Sequence, residues 1–348
     1  MENLKILVRE NIKNLTPYTS AREISAGKGY VLMDANENPF GKSLNRYPDP
    51  MQKKLKERIA KMADVKPGQL FLGNGSDEII DLAMRLFCQP GKDNIVTIDP
   101  TYGMYEVAAD INGTELRKVS LDSNFDISTG AMLSETDRNT KLMILCSPNN
   151  PTGNLLDKNK IRELLNSFSG IVLLDEAYIE FSEDEGFLKE MDQYPNLVIL
   201  QTLSKAWGLA GVRLGKAFAS EEIISLLNTV KFPYNVSRIN QVVAQKALNR
   251  KRKTNKKIQQ ITREREKLKT YLHTFSFIER IFPSDANFLL MRVSNSQDLI
   301  NYMRQSRILL RDRSGLNGCQ NCVRLTIGTP KQNRLLIKKM KEFERSYS

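Results

Sequence analysis

Between residues 69 and 200 the chain alternates short, unbroken apolar runs with longer stretches of mixed polarity. The runs at 69–72, 95–98, 142–146, 171–174 and 197–200 are too short for helices and lack polar alternation, the pattern of strands buried on both faces. Residues 78–87 instead carry Ile79, Leu82, Ala83, Leu86 and Phe87 at helical spacing. Buried strands separated by amphipathic helices predict an α/β fold with a mainly parallel sheet flanked by helices. Past residue 249 the pattern changes. A long stretch with sparse apolar positions (Ile258, Ile261, Leu268) precedes apolar runs at 287–293, 308–310 and 322–327 and an amphipathic helix from Lys331. This predicts a smaller α+β domain. The expected division is a large domain over 45–248, a small C-terminal domain over 249–348, and an N-terminal segment, 1–44, packing on the small domain or a partner subunit.

Composition narrows the function class. The 348 residues are 41% hydrophobic and 26% charged, ordinary values for a globular protein with a substantial core. No apolar run approaches a membrane span. The first 15 residues mix charges with apolar positions and lack the hydrophobic stretch of a secretory signal, so a cytoplasmic protein is expected. Cys319 and Cys322 form a C-x-x-C pair, but there is no second pair and His273 is the only histidine, so no metal site is expected. The net charge is +12, and residues 250–269 hold ten Lys/Arg against two Glu, a net +8. Without interleaved aromatics, that segment is expected to be the solvated face of a helix and not a nucleic-acid surface.

In open α/β sheets ligands bind beyond the carboxyl ends of the strands, so the residues just after each run are informative. The first run leads into Gly73-Asn74-Gly75-Ser76-Asp77, a glycine turn opening a helix, where a phosphate could sit. The second leads into Asp99-Pro100-Thr101-Tyr102, which brings an aromatic ring to the same edge. The third ends in Cys146-Ser147-Pro148-Asn149-Asn150-Pro151-Thr152-Gly153, a stiff turn carrying two amides. The fourth ends in Asp175-Glu176-Ala177-Tyr178, with a carboxylate where burial is costly unless a cation pairs with it. The fifth ends in Thr202-Leu203-Ser204-Lys205, with Arg213 eight residues on. A phosphate cradle, a stacking ring, a carboxylate for a ring nitrogen and an amine for a Schiff base together suit pyridoxal 5′-phosphate (PLP).

The segments Asn149-Asn150-Pro151-Thr152-Gly153, Asp175-Glu176-Ala177-Tyr178 and Ser204-Lys205 with Arg213 resemble the fold-type I PLP-dependent aminotransferases. Asp34-Ala35-Asn36-Glu37-Asn38-Pro39-Phe40-Gly41, Tyr47-Pro48-Asp49 and Ile308-Leu309-Leu310-Arg311-Asp312 resemble, more narrowly, the histidinol-phosphate aminotransferase subfamily. The resemblance runs from about Tyr18 to Thr329. It implies Lys205 as the Schiff-base lysine and proton carrier, and Asp175 as the partner of the ring nitrogen. Asn150 and Tyr178 would donate to the ring's phenolic oxygen, and Tyr102 would stack on its face. Ser76, Asp77, Thr202, Ser204 and Arg213 would hold the phosphate, joined by Tyr47 of a neighbouring subunit in a homodimer with shared sites. For substrate the resemblance implies Arg324 for the carboxylate of glutamate and Arg311 for a distal phosphate, with Tyr18 and Asn36 nearby. After Pro17-Tyr18 the family's small Pro-Gly-like turn is replaced by Thr19-Ser20-Ala21-Arg22. The implied reaction exchanges an amino group between histidinol phosphate and 2-oxoglutarate. An aromatic aminotransferase or a threonine-phosphate decarboxylase would share the cofactor residues.

Overall fold

The structure, a computed structural model, describes residues 4–17, 30–42 and 44–347. Its larger sheet contains β1 (Leu70–Gly73), β2 (Asn94–Asp99), β3 (Glu115–Ser120), β4 (Thr140–Cys146), β5 (Ile171–Asp175), β6 (Leu197–Thr202) and β7 (Gly215–Phe218). The strand order is β1-β7-β6-β5-β4-β2-β3. Strands β2 through β6 run parallel to one another, while β7 runs antiparallel to both β1 and β6. Successive residues point to opposite faces, so each apolar run feeds two cores at once. Leu70, Leu72, Val96, Met143, Leu145, Val172, Leu174 and Ile199 fill one core. Phe71, Ile95, Leu142, Ile144, Ile171, Leu173, Val198 and Leu200 fill the other. Each such side chain contributes roughly 1.5–3 kcal/mol of burial free energy, which explains why the runs contain no polar breaks.

Two strands of this sheet lie outside the predicted runs. The edge strand β3 reads Glu-Leu-Arg-Lys-Val-Ser and is largely solvated, so it has no need of a continuous apolar run. In β7, Lys216 is buried and its Nζ donates to Gln201 Oε1 at 3.0 Å, replacing solvent with a hydrogen bond. Helices α1 (Ser76–Phe87) and α2 (Met104–Ile111) come after β1 and β2.

The smaller sheet comprises β8 (Ile278–Ile281), β9 (Phe288–Val293), β10 (Arg311–Asp312) and β11 (Cys322–Thr326), in the antiparallel order β10-β11-β9-β8. One face packs Leu289, Met291, Val293, Val323 and Leu325 against α3 (Lys251–Leu272) and α4 (Pro330–Tyr347). The run at 308–310 precedes β10 and is not itself a strand; Leu309 is 84% exposed.

Helix α3 carries the basic stretch, and its inner side does more than face solvent. Ile258 and Ile261 pack on the cluster containing Tyr178 and Phe288. Arg265 Nη1 donates to the Ala286 carbonyl at 2.9 Å, so one of the basic residues ties the helix to the approach to β9.

Within the N-terminal segment, expected on the small domain or a partner, residues 4–12 lie against the large domain. Leu4 and Val8 are buried in the core that includes Phe87, and the Arg9 N–H donates to the Leu86 carbonyl at 3.0 Å. Leu4, Leu7, Val8 and Ile12 recur at helical spacing, which gives these residues an apolar side to lay on the large sheet's own helix. Among the described residues no helix is long and apolar enough to cross a membrane.

Candidate active site

At the end of β1 the chain turns through Gly75, whose φ of 85° favours glycine. A Cβ here would lie 2.6 Å from Arg213 Nη2, and one at Gly215 would lie 2.4 Å from the Gly75 carbonyl carbon. Both glycines therefore let the start of α1 press against β7 and Arg213. Gly75 supplies no side-chain cap. The first N–H groups of a helix lack intrahelical partners, so the turn is suited to an anion. Asp77 joins this corner, accepting from Arg213 Nη2 at 3.2 Å and from the Tyr102 hydroxyl at 3.3 Å. Burial, then the Asp77 carboxylate, pushes the Tyr102 phenol up to about 12.

Asp175 closes β5 and is only 3% exposed. Its Oδ2 accepts from the Tyr105 hydroxyl at 2.8 Å and its Oδ1 from the Ala177 N–H at 3.0 Å. Burial raises its pKa, while the two hydrogen bonds and nearby Lys205 pull it down. The turn after β4 divides its asparagines between two tasks. Asn149 is structural: it accepts from Thr101 Oγ1 and donates to the Pro100 carbonyl and Thr152 Oγ1, all at 2.9 Å. That locks the turn after β4 to the turn after β2. Asn150 is thereby left facing the cavity, where its Oδ1 accepts from Arg324 Nη1.

Lys205 emerges just past β6, its Nζ 5.4 Å from the Tyr178 ring centroid. Loss of solvent inside the cavity holds its amine below the ordinary lysine range, and the Arg324 guanidinium adds to this; Asp175 and Asp77 act in the opposite direction. Thr202 Oγ1 and Ser204 Oγ lie 3.0 Å apart beside it. The Tyr178 ring sits edge-on to Phe288, centroids 5.2 Å apart, and the Arg324 guanidinium lies 5.2 Å from the Phe288 centroid. The inner face of the smaller sheet thus roofs the cavity. The turn after β4 fixes its position: the Asp285 N–H donates to the Gly153 carbonyl at 2.7 Å.

One cavity is lined by Ser76, Asp77, Tyr102, Asn150, Asp175, Tyr178, Thr202, Ser204, Lys205 and Arg213, together with Cys146 and Ala177. Arg324 reaches it through Asn150, and Arg311 lies opposite Arg324 in the β10–β11 register. Asn36 and Tyr47 do not line this cavity in the single chain. They border a separate cleft, where Tyr47 stacks on Tyr234 with centroids 4.4 Å apart. Tyr18 lies outside the described residues. Sequence reasoning missed Tyr105, a fully buried ring that reads as core; its one signal is its place three residues after Tyr102 at the start of α2. It also missed Gly215. Cys319 and Cys322 are buried and unbridged. Among the described residues no His, Cys, Asp and Glu group could hold a metal ion.

A cavity-facing lysine with a depressed pKa, a buried carboxylate across from it and an anion cradle at a helix start define a site built for a phosphorylated carbonyl cofactor. The chain belongs to the aminotransferase class I and II family, whose model matches residues 31–340. It is 51% identical over 344 residues to the histidinol-phosphate aminotransferase of Parabacteroides distasonis, covering 99% of this chain and 100% of that one. Among solved structures it is similar to the histidinol-phosphate aminotransferase of Clostridium acetobutylicum, with 27% identity, a TM-score of 0.81 and coverage of 90% and 98% of the two chains. It is also similar to the L-threonine-O-3-phosphate decarboxylase of Porphyromonas gingivalis, with 26% identity, a TM-score of 0.74 and coverage of 87% and 91%.

Proposed function

We propose that this chain is a PLP-dependent aminotransferase that moves the amino group of histidinol phosphate to 2-oxoglutarate, giving imidazole-acetol phosphate and glutamate, a step of histidine biosynthesis. The observation that carries this reading is the convergence of Lys205, Asp175, Asn150 and the Ser76–Arg213 corner on one cavity, with Arg324 bonded to Asn150 at its edge. The cofactor fits the residues present. The glycines at 75 and 215 open the start of α1 to a phosphate, Arg213 supplies its counter-charge, and Asp175 is a buried carboxylate held by Tyr105 and Ala177.

When bound, PLP supplies an electron-withdrawing ring that stabilises negative charge at the substrate carbon losing its proton. The protein's own groups do the rest. Lys205, its amine held below the ordinary lysine range by burial, would anchor a carbonyl group covalently and afterwards carry a proton at Nζ. Asp175 offers negative charge to a ring nitrogen. Asn150 and Tyr178 would meet the ring's oxygen, and Tyr102 would cover the ring. Ser76, Asp77, Thr202, Ser204 and Arg213 would hold the phosphate. Arg324 and Arg311 meet the anionic ends of the substrates, as guanidinium forks suit.

The same reading includes a homodimer. Phe40 is 94% exposed, Phe232 75% and Ile239 54%, and Tyr47 lies in that region, in the cleft with Tyr234. Apolar exposure of this extent marks a contact surface. A second copy seated there would bring its Tyr47 and Asn36 toward the neighbouring site.

The test is the visible absorption band of the cofactor on Lys205. Histidinol phosphate alone is expected to remove it, and 2-oxoglutarate to restore it. A band that ignores histidinol phosphate but responds to phenylalanine would move the substrate to aromatic amino acids. Carbon dioxide released from threonine phosphate would replace transamination with decarboxylation.

A further inference from the structure

The face of the smaller sheet from which Arg324 reaches Asn150 carries more positive charge than the Arg311 and Arg324 assignments use. Arg311 is the direct cross-strand partner of Arg324. The ladder continues one step further, because the Arg313 N–H donates to the Cys322 carbonyl at 2.9 Å. Residues two apart on an extended chain share a face, and directly opposed residues do so too. Arg311, Arg313 and Arg324 therefore stand on one side of the sheet, the side that bears Phe288 and Leu290.

Arg313 is half-buried, yet its side chain has no hydrogen-bond or ion-pair partner among the described residues, and its Nε is buried without an acceptor. Arg311 and Arg324 likewise form no ion pair among the described residues. The groups that influence Arg313 are Arg324, Arg311, Cys319 and Tyr178; burial and the two arginines lower its pKa to about 10, and it stays charged at neutral pH. A half-buried cation on the same face as two others is unfavourable unless an anion arrives. A purely structural arginine would be expected to hold a carbonyl or carboxylate of its own chain.

We propose that Arg313 is a specificity-determining residue that binds the distal dianionic phosphate of the amino donor together with Arg311. This rests on the proposed function and deepens it: the enzyme would read a doubly charged phosphomonoester with two guanidinium groups, one for each negative charge. Glutamate ends in a singly charged carboxylate and would depend on Arg313 much less.

The test uses the cofactor-loaded enzyme, with each half-reaction followed separately, and Arg313→Gln, which keeps polarity but removes charge. The histidinol-phosphate half-reaction is expected to lose about ten- to hundredfold in kcat/KM, the range for one charge-assisted hydrogen bond. The glutamate half-reaction is expected to lose less than about threefold, on the same reasoning. Equal losses in both, or none in either, would overturn the proposal. Calorimetry with ethyl phosphate reads the site without turnover: Arg313→Gln is expected to weaken its binding about tenfold, and Arg313→Lys to stay within about fivefold of the parent. Unchanged affinity in Arg313→Gln, or Arg313→Lys as weak as Arg313→Gln, would also overturn it. If the parent enzyme binds ethyl phosphate through Arg313 but does not turn over histidinol phosphate, the substrate reading fails and the anion site stands.

Discussion

The floor and the roof of the cavity are built on different principles. On the floor, the carboxylates already have partners from this chain: Asp175 takes Tyr105 and Ala177, and Asp77 takes Arg213 and Tyr102. On the roof, the side-chain contacts of Arg324 are the Asn150 amide and the Phe288 ring, while Arg311 and Arg313 form no ion pair among the described residues. The contrast matches two kinds of occupant. A resident cofactor is met by groups held in advance, so no reorganisation is needed at each turnover. A substrate that arrives and leaves is met by uncompensated charge, because an arginine already paired with a carboxylate would have to surrender that partner each time.

The largest effect should come from the floor. Lys205→Ala removes the proposed covalent anchor and proton carrier, and turnover is expected to fall by about 10⁴-fold or more in a steady-state assay. Wild-type turnover in that variant would remove the chemistry from the floor altogether. On the roof, Arg324→Gln is expected to cost about a hundredfold in kcat/KM for glutamate, the scale for losing one desolvated charged partner. It should keep the cofactor bound and shift its visible spectrum far less than a floor variant does, since Arg324 meets the floor only through Asn150 and through its charge on Lys205. A shifted spectrum of comparable size to that of a floor variant would erase the distinction between the two regions.

Legibility in the sequence divides along the same line. The floor can be read because unbroken apolar runs locate the strands, and the chemistry of an α/β sheet collects where those runs stop. Asp175 and Lys205 stand immediately past such runs. Spacing alone does not separate Asn150 from Asn149; the difference between them is that Asn149 is consumed in tying two turns together. Nor do the runs reveal a partner without a polar signature of its own. Tyr105 looks like core because its ring is core; only its hydroxyl reaches the site. Gly215 matters because a Cβ there would lie 2.4 Å from another strand's turn, a long-range fact that spacing does not encode. Arg313 is indistinguishable from a surface arginine in the sequence, since the roof strand β10 is two residues long and has no apolar run to mark it.

Tyr105→Phe tests whether the floor's prearrangement matters beyond the residues that would touch the cofactor. The ring would stay, so the core around it is kept; what disappears is the one side-chain donor to Asp175 Oδ2. Burial already raises the Asp175 carboxyl and the Tyr105 hydrogen bond opposes it, so its loss drives the carboxyl further up. More of Asp175 is then neutral at any given pH, and a neutral carboxyl offers no charge to a ring nitrogen. The acid limb of the kcat/KM profile should move to higher pH, with activity returning to within a few-fold of the parent on the alkaline side. Stability should change with the same sign. In the window between the unfolded and the raised folded value, the native state binds more protons than the unfolded one, so stability falls as pH rises. The variant's deficit, about 1–3 kcal/mol for an unsatisfied buried acceptor, should therefore be smallest in acid and grow through that window, as thermal melts across pH would record. Superimposable pH profiles and melts for parent and variant would mean that Tyr105 only fills space, and that Asp175 owes its charge state to Ala177, Lys205 and the cofactor.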